Sequence, residues 1–454
     1  MQTAKTYLHL VPSSSFINWS VQYMLDTKFS YADKYELEKI GGFLKRNKTA
    51  IDVEDDKEYK RVTIKINNGG VCLRDIQKGT DIGTKKQFVI SEGQFLLSKI
   101  DARNGAFGVV PKSADGAIIT GNFWAFDVDY SKINPHFLAL ITTTPEFIKF
   151  SENASNGTTN RLYLQEKLFI SQQIPLPSLE EQSRIIDNYN AKIRQTEKLE
   201  QQVKDLEKGI EEYLFDILGI EKKEKRTTKS LIFVNSSLIK EWGIDRILGQ
   251  NQYLSSKYES HSFESNLNLF QEILRGKSPK YSDKSNSIIL NQKCNRWDNI
   301  EISHAKFVDD DWFKSLSTNH FTQIGDILIN STGEGTIGRA SAVKDRFDNL
   351  MYDSHILLLR VNTDLICPNY FTIVFNSSYG QQQVNSIKSA QSTKQTELGV
   401  GNLQKIKFPL PQLETQKEIA HHIQNMRKKI HDFRQSAEES RKRAVKEFEQ
   451  EIFE

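Results

Sequence analysis

Two stretches of the chain carry apolar residues at the spacing of a long, one-sided helix. In residues 178–221, Ile186, Tyr189, Ile193, Thr196, Leu199, Val203, Leu206, Ile210, Tyr213 and Ile217 follow one another in steps of three and four. That is a coiled-coil stripe with one three-residue stammer near Thr196–Leu199. In residues 412–454, Ile419, Ile423, Met426, Ile430, Phe433, Ala437, Ser440, Ala444, Phe448 and Ile452 repeat the pattern. Each stretch follows a Pro-Leu-Pro triplet, at 175–177 and 409–411. Proline disfavours helix in the residue before it, so each triplet reads as an extended entry into a helix. Glu180 and Glu181 suit a first turn, where the helix dipole favours anions. Helices of this length span about 60 Å at ~1.5 Å per residue. Neither stripe is stable uncovered, and their near-equal lengths make each the other's natural partner. The expected packing positions include Ile186, Ile193, Val203, Leu206 and Ile210 in the first, and Ile423, Met426, Ile430, Phe433 and Phe448 in the second.

The remainder has a different rhythm. In 1–177 and 230–411, short strand-like runs (RVTIKI, QFVI, QFLLSKI, AFGVV, ILLLRV) alternate with Gly, Asn, Asp and Ser turns, and helical stretches follow late in each. Each reads as an α+β globule. A charged linker, KKEKRTTK (222–229), separates the first long helix from the second globule.

The two halves repeat one plan. IPLPSLEEQ (174–182) and FPLPQLETQ (408–416) lie 234 positions apart. GQFL at 93–96 matches GDIL at 325–328, NGAFG (104–108) parallels GTIG (335–338), and INPHFL (133–138) matches CPNYF (367–371). A Trp-led run opens each half, NWSVQYML at 18–25 and EWGIDRIL at 241–248. The architecture expected is globule, long helix, globule, long helix.

Composition narrows the classes. At 454 residues and 38% apolar the chain can build several cores, and wholesale disorder is excluded. Cys72, Cys294 and Cys367 are too few and too scattered for a disulfide framework or a cysteine zinc site, which fits a reducing cytosol. No apolar run approaches the ~18 residues of a membrane helix, and the start of the chain does not read as a secretory signal. There is no phosphate-loop GKS/GKT, no HExxH and no GxSxG. GEGTIG (333–338) matches GxGxxG but lacks a following βαβ unit, and reads better as a tight turn between strands. Adjacent His421 and His422 point to different helix faces, and the Asp309–Asp311 run reads as a solvated loop. No active site is expected.

Charge is nearly balanced at +3. The first helical stretch has six basic and ten acidic residues within 178–218, and the second has nine of each within 412–454, so the rest of the chain holds +7. The polar and basic loops of the globules are therefore the candidate nucleic-acid contacts. In the first they are Lys85, Lys86, Lys99, Arg103, Asn104, Thr158, Thr159, Asn160 and Arg161; in the second, Lys277, Lys280, Lys293, Arg296, Arg339, Thr393, Lys394 and Gln395. Asn, Gln, Arg and Lys make base-edge contacts, and Thr or Ser beside Lys suits phosphate.

A globule closing on NGTTNRLYLQEKLFISQQIPLPSLEEQ (156–182), then a long helix, then the same plan closing on STKQTELGVGNLQKIKFPLPQLETQ (392–416), resembles the specificity (S) subunit of bacterial type I restriction–modification enzymes. GDILINSTGEGTIGRASAV (325–343) and QFLLSKIDARNGAFGVV look like further family blocks. The second copy departs from the pattern in lacking a glycine to match Gly157, in Lys407-Phe408 before its triplet, and in Thr415 where the first has Glu181. The resemblance implies an α+β fold with a pseudo-twofold internal repeat. Target recognition domains at 1–177 and 230–411 would be separated by two long antiparallel coiled-coil spacer helices, at 178–221 and 412–454. Each recognition domain would read one half of a bipartite site in double-stranded DNA. The helices would fix the gap and dock two adenine methyltransferase subunits using S-adenosylmethionine, with motor/nuclease restriction subunits using ATP and Mg²⁺. The chain itself would hold no cofactor or metal, do no chemistry, touch no membrane and work in the bacterial cytoplasm. A type II-like fused methylase/nuclease system shares this plan, and a coiled-coil protein-binding scaffold is the reading without DNA.

Overall fold

The computed structural model describes residues 31–157, 162–221, 256–333, 335–387 and 397–454. The Trp-led runs, the charged linker, Thr158–Arg161 and Thr393–Gln395 lie outside these residues. The chain divides into two compact units, one within Met1–Leu199 together with Gln435–Glu454, the other within Glu200–Arg434. A globule and part of each long helix belong to each unit.

The first unit contains strands β1 (Leu37–Lys39), β2 (Leu44–Asn47), β3 (Ala50–Asp52), β4 (Glu58–Ile64), β5 (Val71–Lys78), β6 (Lys86–Val89), β7 (Phe95–Ser98), β8 (Phe107–Val109), β9 (Ile118–Ile119) and β10 (Phe123–Val128). Helices α1 (Pro135–Ile141) and α2 (Pro145–Asn153), strands β11 (Ser155–Asn156) and β12 (Tyr163–Leu164), α3 (Glu166–Ser171) and β13 (Gln173–Pro175) lead into the long helix α4 (Leu179–Leu218). Both α1 and α2 start with proline at a position whose N–H would have no helical partner. Asn134 and Thr144 cap them, accepting from the His136 and Phe147 amides.

The main sheet has the order β2-β10-β7-β8. Its inner strand β7 (Phe-Leu-Leu-Ser) is buried at all four positions, as a strand covered on both faces must be. Phe95, Phe107, Phe126, Phe137, Phe147, Phe150 and Phe169 fill the core beneath it. Ile185 and Ile186 of α4 close that core. A second sheet, β3-β6-β9-β4-β5, includes the parallel pair β4–β9 through Arg61 and Ile118.

The second unit contains β14 (Ser260–His261), β15 (Phe270–Arg275), β16 (Ser287–Leu290), β17 (Lys306–Val308), α5 (Asp310–Lys314), β18 (Ile327–Asn330), β19 (Ala340–Ala342), β20 (Met351–Tyr352) and β21 (Ile356–Val361). Helices α6 (Pro368–Asn376), α7 (Ser378–Ile387) and α8 (Val400–Gln404), then β22 (Phe408–Pro409), precede the long helix α9 (Leu413–Phe453). The sheet order β15-β21-β18-β19 repeats that of the first unit, and β14–β22 repeats β1–β13. The internal repeat is thus one of topology. The second sheet is where the copies diverge: among the described residues it has three strands here, β17-β16-β20. GEGTIG falls between the antiparallel strands β18 and β19, and Gly333, Gly335 and Gly338 adopt positive φ there. Asp309 caps α5, and Asp310 accepts from the Ser285 and Ser287 hydroxyls, so these two carboxylates serve local structure.

The PLP segments seat their helices through one glutamine each. Fully buried Gln182 accepts from the Asn134 amide (2.8 Å) and donates to the Lys132 (3.0 Å) and Pro177 (2.8 Å) carbonyls. Gln416 does the same with the Cys367 amide (2.9 Å) and the Leu365 (3.0 Å) and Pro411 (2.8 Å) carbonyls. One side chain thereby satisfies the helix entry and the start of a globule helix together.

The long helices of 40 and 41 residues run antiparallel in each unit. In the first, Tyr189 packs edge-on against Phe448 at 6.2 Å, the Ser440 hydroxyl donates to the Lys192 carbonyl (3.2 Å), and that of Thr196 to the Ala437 carbonyl (3.4 Å). In the second, Arg434 pairs with Glu207, and His422 stacks on Tyr213 at 4.1 Å. Rising numbers on α4 meet falling numbers on α9 in both. Ile186, Val203, Ile423, Ile430 and Phe448 are buried, while Ile193, Leu206, Ile210, Met426 and Phe433 are half-buried. In the last turns of α4 the deepest side chains are Leu214 and Leu218, one position beyond Tyr213 and Ile217. There the helix also faces the core of Phe263, Tyr370, Phe371 and Phe375, which draws the buried face around the axis. No helix among the described residues is long and apolar enough to cross a membrane.

Candidate nucleic-acid interface

The end of β7 and the end of β18 are held by the same two backbone bonds. In the first unit the Lys99 amide donates to the Asn122 carbonyl (3.0 Å), and the Lys99 carbonyl accepts from the Leu164 amide (2.8 Å). In the second, the Ser331 amide donates to the His355 carbonyl (2.9 Å), and the Ser331 carbonyl accepts from the Leu398 amide (2.8 Å). The side chains on this common frame differ. The Lys99 ammonium lies 5.4 Å from the Tyr163 ring centroid, a cation over an aromatic face. In the second unit Thr332 Oγ1 and His355 Nδ1 are 2.7 Å apart, and Arg275 pairs with Glu397 while donating to the Ser354 carbonyl (2.9 Å).

The candidate residues of the first globule fall into two groups. Lys99, Arg103 and Asn104 share the β7–β8 connection. Its turn acts through the backbone: the Asn104 and Gly105 carbonyls accept from the Asn67 and Asn68 amides (2.7 and 3.2 Å). Those two asparagines form the left-handed tip of the β4–β5 hairpin, at φ 56° and 61°. Arg103 is half-buried, and exposed Asn104 reaches back to Asp101 (3.4 Å). Lys85 and Lys86 belong to the second sheet instead. Lys85 is held by the Asp55 carboxylate and the Gly79 carbonyl, whereas exposed Lys86 makes no ion pair with a described residue.

In the second globule Lys293 and Arg296 share the loop of Trp297, which is 46% exposed, and Arg339 reaches the Trp297 ring from just before β19. Arg339 lies 5.8 Å from the Trp297 ring and donates to the Gly335 carbonyl (3.0 Å), but its Nε is buried with no partner. Arg296 is engaged by Glu301 (3.0 Å) and His304 (2.9 Å), and Lys293 is exposed. Buried Asn295 sews this loop to the main sheet, donating to the Leu328 carbonyl, the Asn330 amide oxygen and the Arg339 carbonyl. Asp298 ties the loop to α9: its carboxylate meets Arg427 at 2.6 Å and accepts from Asn376 at 3.0 Å. Burial pushes the Asp298 carboxyl above its ordinary range, and the Arg427 charge opposes that rise. Lys277 and Lys280 lie after β15. Lys277 is exposed, and Lys280 faces Asp309 at 3.5 Å.

Asn122, Tyr163, Trp297, His355 and Glu397 were not singled out by sequence reasoning, whereas Arg275 opens the basic RGKSPK stretch (275–280) that it did pick out. Trp297 adjoins Arg296 in the NQKCNRW stretch and carried the one local signal, an aromatic beside a cation. The others are joined to the turn across distant strands. Only the repeat offset, 233 between Asn122 and His355 and 234 between Tyr163 and Glu397, links them in sequence.

The family model for the type I restriction modification DNA specificity domain matches residues 33–208 and 270–438, once in each half. A protein of Methanocaldococcus jannaschii, described provisionally as a type I restriction enzyme MjaX specificity subunit, is 28% identical over 122 residues. The match covers 27% of this chain and 28% of that relative's length. A chain solved in work on complex assembly and conformational transition of the type I R-M system shares the fold, with a TM-score of 0.57 and 15% identity over 93% of this chain and 97% of its own. The HsdS subunit from Thermoanaerobacter tengcongensis gives a TM-score of 0.48 at 14% identity, over 95% and 99% of the two chains.

Proposed function

The chain belongs to the type I restriction modification DNA specificity family, and on that premise we propose that it is the non-catalytic, DNA-reading subunit of a type I restriction–modification complex. Each globule reads one half of a bipartite site in double-stranded DNA, and the paired long helices set the gap between the halves. The complex adds two methyltransferase subunits that use S-adenosylmethionine and motor/nuclease subunits that use ATP and Mg²⁺, all working in the cytoplasm. The carrying observation is the repeated framework. Both units build the same four-stranded sheet, yet differ in their second sheet and in the side chains on their loops. A module that holds its frame and varies its surface suits two different half-sites.

Charge shapes the expected behaviour. With only +7 outside the long helices, the isolated chain has too little net positive charge for strong phosphate binding. Alone it binds DNA weakly, and with its methyltransferase subunits it forms a specific, salt-sensitive complex. Methylation profiling of a host with and without this gene is the test. Loss of modification at one bipartite motif on deletion supports the reading. An unchanged methylome in a host whose methyltransferase subunits are active overturns it.

A further inference from the structure

We propose that three framework-equivalent positions, Lys99/Ser331, Asn122/His355 and Tyr163/Glu397, determine which base pairs each globule prefers; the inference rests on the DNA-reading function proposed above. In each trio one backbone bond joins the first two residues and the other joins the first to the leucine that follows the third, so the main chain presents the side chains from equivalent points in the two units. Around them the residue types are kept. Phe95, Leu96 and Leu97 of β7 correspond to Ile327, Leu328 and Ile329 of β18 at the repeat offset, all buried, and Leu164 and Leu398 are buried leucines in both. At the three positions themselves the chemistry changes completely. Asn122 and His355 are exposed, while Tyr163 and Glu397 are half-buried.

The donor and acceptor content of the trios differs in a readable way. In the first unit Lys99 only donates, Asn122 donates and accepts, and Tyr163 offers a ring beneath the ammonium. That set suits a base edge rich in acceptors, as guanine N7 and O6 are in the major groove. In the second unit Arg275 orients an acceptor, the Glu397 carboxylate, and Thr332 orients the His355 ring. A carboxylate suits an exposed amino group, such as cytosine N4. The two units therefore favour different base pairs from one geometry.

The test uses the chain in complex with its methyltransferase subunits and a duplex library with both half-sites randomised. The wild-type complex selects a bipartite consensus. Failure at this control step would count against the DNA-reading function itself, separately from the residue assignment. Asn122→His with Tyr163→Glu shifts preference at one or two adjacent base pairs of one half-site by about tenfold or more, the range of a base-edge contact, and leaves the other half-site unchanged. His355→Asn with Glu397→Tyr does the converse. Because Asn122 and His355 are exposed, the single variants Asn122→Asp and His355→Gln keep the fold and report if a double variant does not. An unaltered consensus in the variants overturns the assignment. Uniform weakening across the library, with a shallower salt dependence, also overturns it by identifying phosphate contacts.

Discussion

Replacing Gln182 with methionine keeps the length of the side chain and removes its hydrogen-bonding end. The Asn134 amide then loses its acceptor, and the Lys132 and Pro177 carbonyls each lose a donor, around a side chain that is itself fully buried. A lost bond nets roughly 1 kcal/mol, and a buried group left unmatched costs about 1–3 kcal/mol. The two carbonyls have second lone pairs, which holds the total toward the low end, at about 3 kcal/mol. Near 25 °C that is a factor of roughly 150 in the opening equilibrium of the first unit. Hydrogen exchange read by mass spectrometry, peptide by peptide across a urea series, separates the two units. Peptides around 132–138 and the start of α4 should open more readily by about this amount, while peptides around 365–371 stay within about 0.5 kcal/mol of wild type, as distant sites do. Gln416→Met should reverse the pattern. A loss under about 1 kcal/mol, or an equal loss in both units, would refute the reasoning.

Three further outcomes follow from the geometry. Arg427→Met removes the cation facing Asp298, so that carboxyl rises further above its unfolded value. A carboxyl raised in the folded state is least costly while protonated. The penalty of the variant should therefore be small near pH 4, grow with rising pH and level off at about 1–3 kcal/mol, since the pair is partly solvated; a penalty independent of pH between 4 and 8 would count against it. Lys86→Ala, Lys277→Ala and Lys293→Ala should each reduce the salt dependence of DNA binding by about one counterion without altering the consensus, measured by titration between 50 and 200 mM salt. One heptad added to α4 and to α9 in matching layers should lengthen the spacer by about 10 Å, or roughly three base pairs; modified sites with the original spacing would show that the helices are not a ruler.

The long helices were legible because a stripe such as Ile419-Ile423-Met426-Ile430 admits one period and one face. What the stripe does not specify is a change of neighbour along the helix. Tyr213-Leu214 and Ile217-Leu218 are adjacent apolar pairs, and only the globule core decides which member goes deeper. The basic loops were legible as loops, not as electrostatic surfaces. Lys85 finds Asp55 and Lys280 finds Asp309 about thirty residues away, and such local neutralisation is invisible in a linear count of charges. The Asp-Ala-Arg-Asn turn shows a related gap. Its composition suggests outward side-chain contacts, yet Asp101 turns inward to Ser98 and Asn104, and the Asn104 and Gly105 carbonyls grip a left-handed hairpin tip.

The first unit is discontinuous in sequence, since Phe448 and Ile452 complete a core begun by residues before 199. During synthesis the ribosome must add the 235 residues from 200 to 434 before those two side chains exist. At roughly 5–20 residues per second this takes about 12–47 s. Through that interval Ile185, Ile186 and the aromatic floor beneath them lack their cover, while the second globule is already emerging. The nascent chain therefore passes through an unfinished state whose exposed apolar face attracts chaperones or a neighbouring chain. Frameshifts just beyond position 434 would make that state permanent, and damage to the codons for residues 435–454 would be felt first in the globule of residues before 199.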